Sequence, residues 1–240
     1  MKRWAPYLER YRRGEWRDRI LHDLILDDAR RRGSRLTFLD IGCGRGFGGN
    51  LHLQQSLARA AGRYIGIEPD PEVDPGPHVT ERLCCFFEEA PLEAASVDVA
   101  FANMVLEHLA EPAAFWDRLH AVLRDGGVFW GLTMDARHWF CRASLWAERL
   151  KVKDLYLTAL RGRRGQARYE NYPVYYRSNT PEQIARYTQR FRSCETLNFA
   201  RVGQCNYYVP RLLQPLANWL DRRALHRGRP GTVLAVRVEK

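Results

Sequence analysis

The sequence predicts an α/β fold, a doubly wound and mostly parallel sheet. Three observations lead there. Short apolar runs alternate with helix-patterned stretches between Arg35 and Met134. The first run ends in the glycine cluster Gly42-Cys43-Gly44-Arg45-Gly46, and the tight turn Arg124-Asp125-Gly126-Gly127 precedes the fifth. Alternation of this kind sets strands side by side in parallel with helices on both faces. A length of 240 residues suits a single domain, 1–240, with an elaboration, and 45% hydrophobic content provides a core that a disordered chain lacks.

Residues 1–34 read as an N-terminal helical segment. Trp4, Leu8 and Tyr11 share a stripe that Trp16, Ile20 and Leu24 continue, with a break near Gly14. Arg10, Arg12, Arg13, Arg17 and Arg19 lie between them as a solvated face, with a nucleic-acid arm as the alternative. The core spans 35–134. Its strands are expected at Leu36–Ile41, Arg63–Glu68, Arg82–Phe87, Val97–Asn103 and Gly127–Met134, and its helices at Leu51–Ala61 and Ala113–Leu123. Prolines 69, 71, 75 and 77 leave no room for a helix between the second and third strands.

Residues 135–190 break the rhythm. Between Thr133 and Arg190 stand twelve Lys/Arg against five Asp/Glu, with many aromatic residues, and the segment reads as a cap inserted before the sixth strand. Within it, Leu145, Trp146, Leu150 and Leu157 pattern an amphipathic element that is expected to pack on the core, with contact to a membrane surface as the alternative. Thr180 and Pro181 mark a helix start. Residues 191–240 supply closing strands at Glu195–Val202 and Thr232–Val238, joined by a helix over Pro210–Leu225.

The net charge of +10 favours acidic partners. No run of about eighteen apolar residues exists, and the N-terminus carries no apolar leader, so a cytoplasmic location is expected. The six cysteines (43, 84, 85, 141, 194, 205) form no CxxC pair; no metal site is expected, and Cys84-Cys85 reads as buried thiols.

Asp40-Ile41-Gly42-Cys43-Gly44-Arg45-Gly46 follows a strand and opens a helix, as backbone lying against a ligand requires. The dinucleotide fingerprint would place its third glycine at position 47, which is Phe47. The spacing G-x-G-x-G, with an acid two residues ahead, resembles instead the first motif of class I S-adenosylmethionine (SAM) dependent methyltransferases. Tyr64-Ile65-Gly66-Ile67-Glu68-Pro69-Asp70, the stretch Glu88–Leu109 and Arg124-Asp125-Gly126-Gly127 resemble later motifs of the small-molecule, type 11-like branch of that family. The resemblance covers about residues 35–134 and implies a Rossmann-like sheet of seven strands.

It also implies roles. Asp40, Gly42 and Gly44 would hold the methionine part of SAM, and Glu68 would accept from both ribose hydroxyls. Pro69 and Asp70 would flank ribose and adenine. Asn103 would meet the amino acid portion through its carbonyl. Where the family often places an adenine-binding Asp, this chain has Phe86, and Glu88 is the substitute expected. His108 is the candidate general base, the alternative being a packed histidine beside Glu107 as a helix cap. The cap residues Trp139, Tyr172, Tyr176 and Arg177 are the candidate acceptor contacts, since rings stack on sugars and guanidinium groups pair with anions. They point to a small-molecule or glycan acceptor that is anionic or a lipid-linked saccharide. Nucleic acid is disfavoured, because Asn103-Met104-Val105-Leu106 lacks the Pro-Pro-aromatic run of base-amine enzymes and no Pro-Cys nucleophile occurs there. Two other readings stay open: an RNA methyltransferase, on charge, and a non-catalytic SAM-fold subunit. Oligomeric state is not legible.

Overall fold

Six consecutive buried positions make Leu36–Ile41 a central strand, β1. It pairs in parallel with β2 (Ala61–Ile67) on one side and β4 (Val97–Asn103) on the other. The computed structural model describes residues 2–152, 155–156 and 173–240. Within them β3 (Glu81–Leu83), β5 (Leu123–Met134), β6 (Ser193–Phe199) and β7 (Val233–Glu239) complete one sheet, in the order β3-β2-β1-β4-β5-β7-β6. Strand β7 runs antiparallel to both its neighbours. The cap stands before β6, as expected.

Phe38 and Leu39 face opposite sides of β1 and belong to two separate apolar cores. On Phe38's side pack α1 (Ala5–Arg12), α2 (Arg17–Ala29) and α3 (Leu51–Ala60). On Leu39's side pack α4 (Pro112–Val122) and α6 (Pro181–Tyr187), while α5 (Trp139–Arg149) and α7 (Gln214–His226) stand beyond the sheet. Gly14, at φ +108, makes the α1–α2 break. The Asn50 side chain accepts from His52 N and Leu53 N to start α3, and Thr180 accepts from Gln183 N to start α6. No helix lies between β2 and β3, and no described helix is long and apolar enough to cross a membrane.

Three local expectations differ. Strand β3 ends at Leu83 rather than Phe87, since at the sheet edge only β2 pairs with it, through Leu83. The segment Arg124–Gly127 lies inside β5 instead of before it: Leu123 already pairs with Val97, and a register shift accommodates the extra residues. Cys84 is exposed and Cys85 half-buried, because both follow the end of β3 on the surface.

One buried carboxylate ties the N-terminal helices to the sheet. Asp28, at the end of α2, accepts from Arg237 Nε on β7 (2.6 Å), Trp130 Nε1 on β5 (2.9 Å), Arg3 (2.8 Å) and Arg32 (3.2 Å). Burial opposes its ionised form, yet the hydrogen bond and charge of Arg237 outweigh it and hold the carboxyl below its usual range. Its contribution is therefore complete above the ordinary carboxylate range and is lost as pH falls through the lowered value. Asp28→Ala leaves buried Arg237 with only Glu239 (2.8 Å) and Glu195 (3.5 Å) and takes the acceptor from Trp130, and should cost about 3 kcal/mol in urea unfolding at neutral pH.

Candidate functional site

Strands β1, β2 and β4 end together, and beyond their carboxyl ends lies a cavity of about 860 Å³. Open α/β sheets place ligands there, where the strand order reverses. Asp40, Gly42, Gly44, Glu68, Pro69, Glu88, Asn103 and His108 all line it.

The first turn is shaped by a close approach. Gly42 has φ +67, and a Cβ there would stand 2.6 Å from Val105 Cγ2. Its N–H and that of Cys43 both donate to the Ile67 carbonyl, pinning the turn to the end of β2 (2.8 and 3.0 Å). Glu68 follows directly. Its Oε2 accepts from Gly44 N (3.1 Å) and its Oε1 from Asp70 N (3.2 Å). Burial raises its carboxyl above the usual range, and those two amides pull the other way.

Asp40 is sealed off further. Tyr64 Oη donates to its Oδ2 at 2.8 Å. Burial pushes its pKa up to about 7, with the Glu68 charge adding to the rise and the Tyr64 bond resisting it.

Sequence reasoning missed two residues of the cavity wall. Arg17 and Asp18, at the start of α2, both line it. Asp18 Oδ1 accepts from Asn103 Nδ2 (3.0 Å) and its Oδ2 from Trp16 Nε1 (2.8 Å). Gly48 makes room for it, since a Cβ there would fall 2.6 Å from the Asp18 carboxyl. Two polar atoms in this corner are buried without a hydrogen-bond partner, Asn103 Oδ1 and Arg17 Nε, the latter in an ion pair 3.7 Å from Asp18 Oδ1. The apolar stripe of α2 identified its buried face, but nothing local marked its first turn as reaching the end of β4.

The remaining candidates are distributed differently from expectation. Asp70 does not line the cavity; its Oδ1 accepts from Glu72 N and closes a turn. Phe86 does line it and is 57% exposed, presenting a ring beside Glu88. His108 Nδ1 lies 2.9 Å from the Pro173 carbonyl. A carbonyl only accepts, so Nδ1 carries the proton and Nε2 is the basic nitrogen. Glu107 is no cap: it is buried and accepts from Thr133 Oγ1 at 2.7 Å. Of the cap residues, Trp139 donates its Nε1 to Asp221, and Tyr176 is buried against Met134, Cys141 and Cys205. Neither lines the cavity: Tyr176 fills a small apolar cluster with Met134 at the end of β5, and half-buried Trp139 is turned to Asp221 on α7. Arg177 stands one step behind the wall, donating to the Ala110 carbonyl (2.6 Å) and lying 3.6 Å from Glu111. Tyr172 is outside the described residues.

Residues 39–131 match the family model described as a methyltransferase domain, type 11. Over that span the chain resembles a methyltransferase domain, and its sheet has the strand order of the class I SAM-dependent methyltransferase fold. A protein of Mycolicibacterium smegmatis named "probable S-adenosylmethionine-dependent methyltransferase" is 34% identical over 114 residues, 45% of this chain and 42% of that protein. The chain thus matches less than half of that curated relative's length. Among solved structures, a SAM-dependent methyltransferase of Thermotoga maritima shares the fold at TM-score 0.55 and 14% identity, over 100% of this chain and 93% of that one. Geranyl diphosphate C-methyltransferase of Streptomyces coelicolor, solved with S-adenosylhomocysteine, does so at 0.54 and 13%, over 91% and 77%.

The cavity fits SAM on its own chemistry. SAM brings an ammonium, a sulfonium, a carboxylate and two ribose hydroxyls. Facing them are the carboxyls of Asp40 and Glu68, the unpartnered Asn103 Oδ1 and the guanidinium of Arg17. The slot beside Gly42 admits a ligand where a side chain would stand.

The raised Asp40 carboxyl has a measurable consequence. Its folded value of about 7 lies above the ordinary 3.8, so the folded chain holds a proton the unfolded chain has released. Stability then falls as pH rises from about 4 to about 7 and levels off above, a change of up to ~4 kcal/mol. Denaturant titrations across that window should show this fall in the native protein and a flatter profile in Asp40→Asn.

Proposed function

We propose that this chain transfers a methyl group from SAM to an oxygen or nitrogen atom of a small molecule. The observation that carries this is the convergence on one cavity of Glu68, buried at the end of β2, with Asn103 Oδ1, which has no hydrogen-bond partner, and the guanidinium of Arg17. When bound, SAM supplies a methyl group already activated by its sulfonium. The chain's own task is to hold, orient and dehydrate.

Glu68 takes the ribose hydroxyls on the two oxygens that Gly44 N and Asp70 N keep in place. Asp40 and Asn103 Oδ1 receive the ammonium end, and Arg17 pairs with the carboxylate. Pro69, Phe86 and Glu88 form the wall on the adenine side. The acceptor enters beside Met104, Val105, His108 and Leu109, where apolar walls exclude water and alignment can contribute ~7–11 kcal/mol. For a hydroxyl acceptor, His108 Nε2 takes the proton, with the Pro173 carbonyl fixing the tautomer.

The acceptor class rests on the walls that reach the cavity. An anionic or saccharide-bearing acceptor was expected from Trp139, Tyr172, Tyr176 and Arg177, and none of the three described ones lines it. Met104, Val105, Leu109 and Phe115 do, and they suit an acceptor with an apolar body.

Calorimetry should show binding of SAM and S-adenosylhomocysteine and none of NAD, and Glu68→Ala should weaken both by roughly 1.5–3 kcal/mol. An acceptor screen with tritiated SAM tests the activity itself. With a hydroxyl acceptor, His108→Ala should lower kcat by ~10²–10⁴-fold at nearly unchanged SAM affinity. A loss below about threefold would make His108 a packing residue.

A further inference from the structure

Helix α7 is turned inside out. Its buried positions are Ala217 and the acid Asp221, which accepts from Trp139 Nε1 (2.7 Å) and Gly203 N (2.8 Å). Its outward stripe carries Leu216 (55% exposed) and Trp219 (47%) at i and i+3, with Arg223 at i+7. Leu212, one turn earlier, is 93% exposed. Helices on globular proteins ordinarily bury such a stripe.

The charges around it have one sign. Arg211, Arg222, Arg223, Arg227 and Arg229 are all exposed, and the only acid from 211 to 229 is the buried Asp221. Arg223 lies 5.2 Å from the centre of the Trp219 ring. Helix α5 carries a second stripe of the same kind. Trp146 and Leu150 are exposed at i and i+4, beside Arg149 and Lys151, and half-buried Glu148 is the one acid among residues 139–152. Trp139 Nε1 on α5 donates to Asp221 on α7, and Tyr156 Oη, beyond α5, donates to the Tyr208 carbonyl ahead of α7 (2.7 Å). The surface also stands at the cavity's end of the sheet: α5 follows β5 out of it, and α7 precedes the antiparallel β7, whose first residues pair with the last of β5.

We propose that α7 and α5 dock this chain on an anionic lipid bilayer. Leucine and tryptophan on an outward stripe enter the interface, and flanking arginines meet lipid phosphates. Charge decides among occupants. A second copy seated on this face would oppose like arginines, and a nucleic acid would leave Leu212 and Leu216 in water. Docked this way, the chain turns the cavity's end of its sheet toward the membrane.

The test is co-sedimentation of the full chain with vesicles of phosphatidylcholine mixed with phosphatidylglycerol, and with phosphatidylcholine alone. Binding is expected to the mixed vesicles, weakened by salt and weak on the neutral ones. Leu212→Ser with Leu216→Ser should reduce it by about tenfold or more, as should Arg222→Glu with Arg223→Glu. Unchanged S-adenosylhomocysteine binding reports that each variant is folded. If a double variant loses it, Leu212→Ser alone is the readout, with weaker vesicle binding expected. Equal binding to neutral and mixed vesicles, no binding to either, or binding untouched by the leucine variants overturns the proposal. So does self-association in solution that the leucine variants abolish, or RNA binding that they leave intact.

Discussion

The architecture of the site depends on a single close approach, that of the β1 turn to Val105. At the end of β1 the chain must reverse at φ +67 with no space for a Cβ, and only glycine satisfies both demands at Gly42. That reversal sends the Gly42 and Cys43 amides to the Ile67 carbonyl, which locks the ends of β1 and β2 side by side. Glu68 then emerges within reach of Gly44 N. The carboxylate at the end of one strand is placed by the loop that leaves its neighbour.

Helix α2 works as a rigid rod across the same face. Thirteen residues give it a length of about 20 Å. Asp28 at its far end is bonded to β5 and β7, and Asp18 at its near end reaches Asn103 on β4. Anchoring at one end therefore positions the cavity wall at the other. The arginine-rich N-terminal segment, which in isolation looks like a solvated face, closes the site through Arg17.

The cavity stores electrostatic cost. Asp40 and Glu68 are two carboxyls whose affinities for protons burial raises, Asp40's further by the Glu68 charge, and Asn103 Oδ1 adds a buried acceptor without a donor. A ligand that arrives with an ammonium and a sulfonium relieves that cost, which favours a cation-bearing cofactor over a dianionic pyrophosphate.

Composition, period and spacing determined by themselves the strand–helix alternation, the bounds of β1 and β4, the break at Gly14, the Thr180 cap and the G-x-G-x-G turn, while Glu68 was marked by the family resemblance. Each is a local property: two backbone angles, a residue's own hydrogen bonds, or a periodicity of two or of 3.6. Tertiary structure alone decided what local signals cannot carry. Asp18 meets Asn103 across 85 positions of sequence, and Trp139 meets Asp221 across 82. That second contact holds the Trp139 ring by a hydrogen bond to α7, and Tyr176 is taken from the acceptor side by burial in its apolar cluster, which removes its ring from water. The outward stripe of α7 was equally invisible, since a helix's pattern fixes which residues share a face and only packing fixes where that face points.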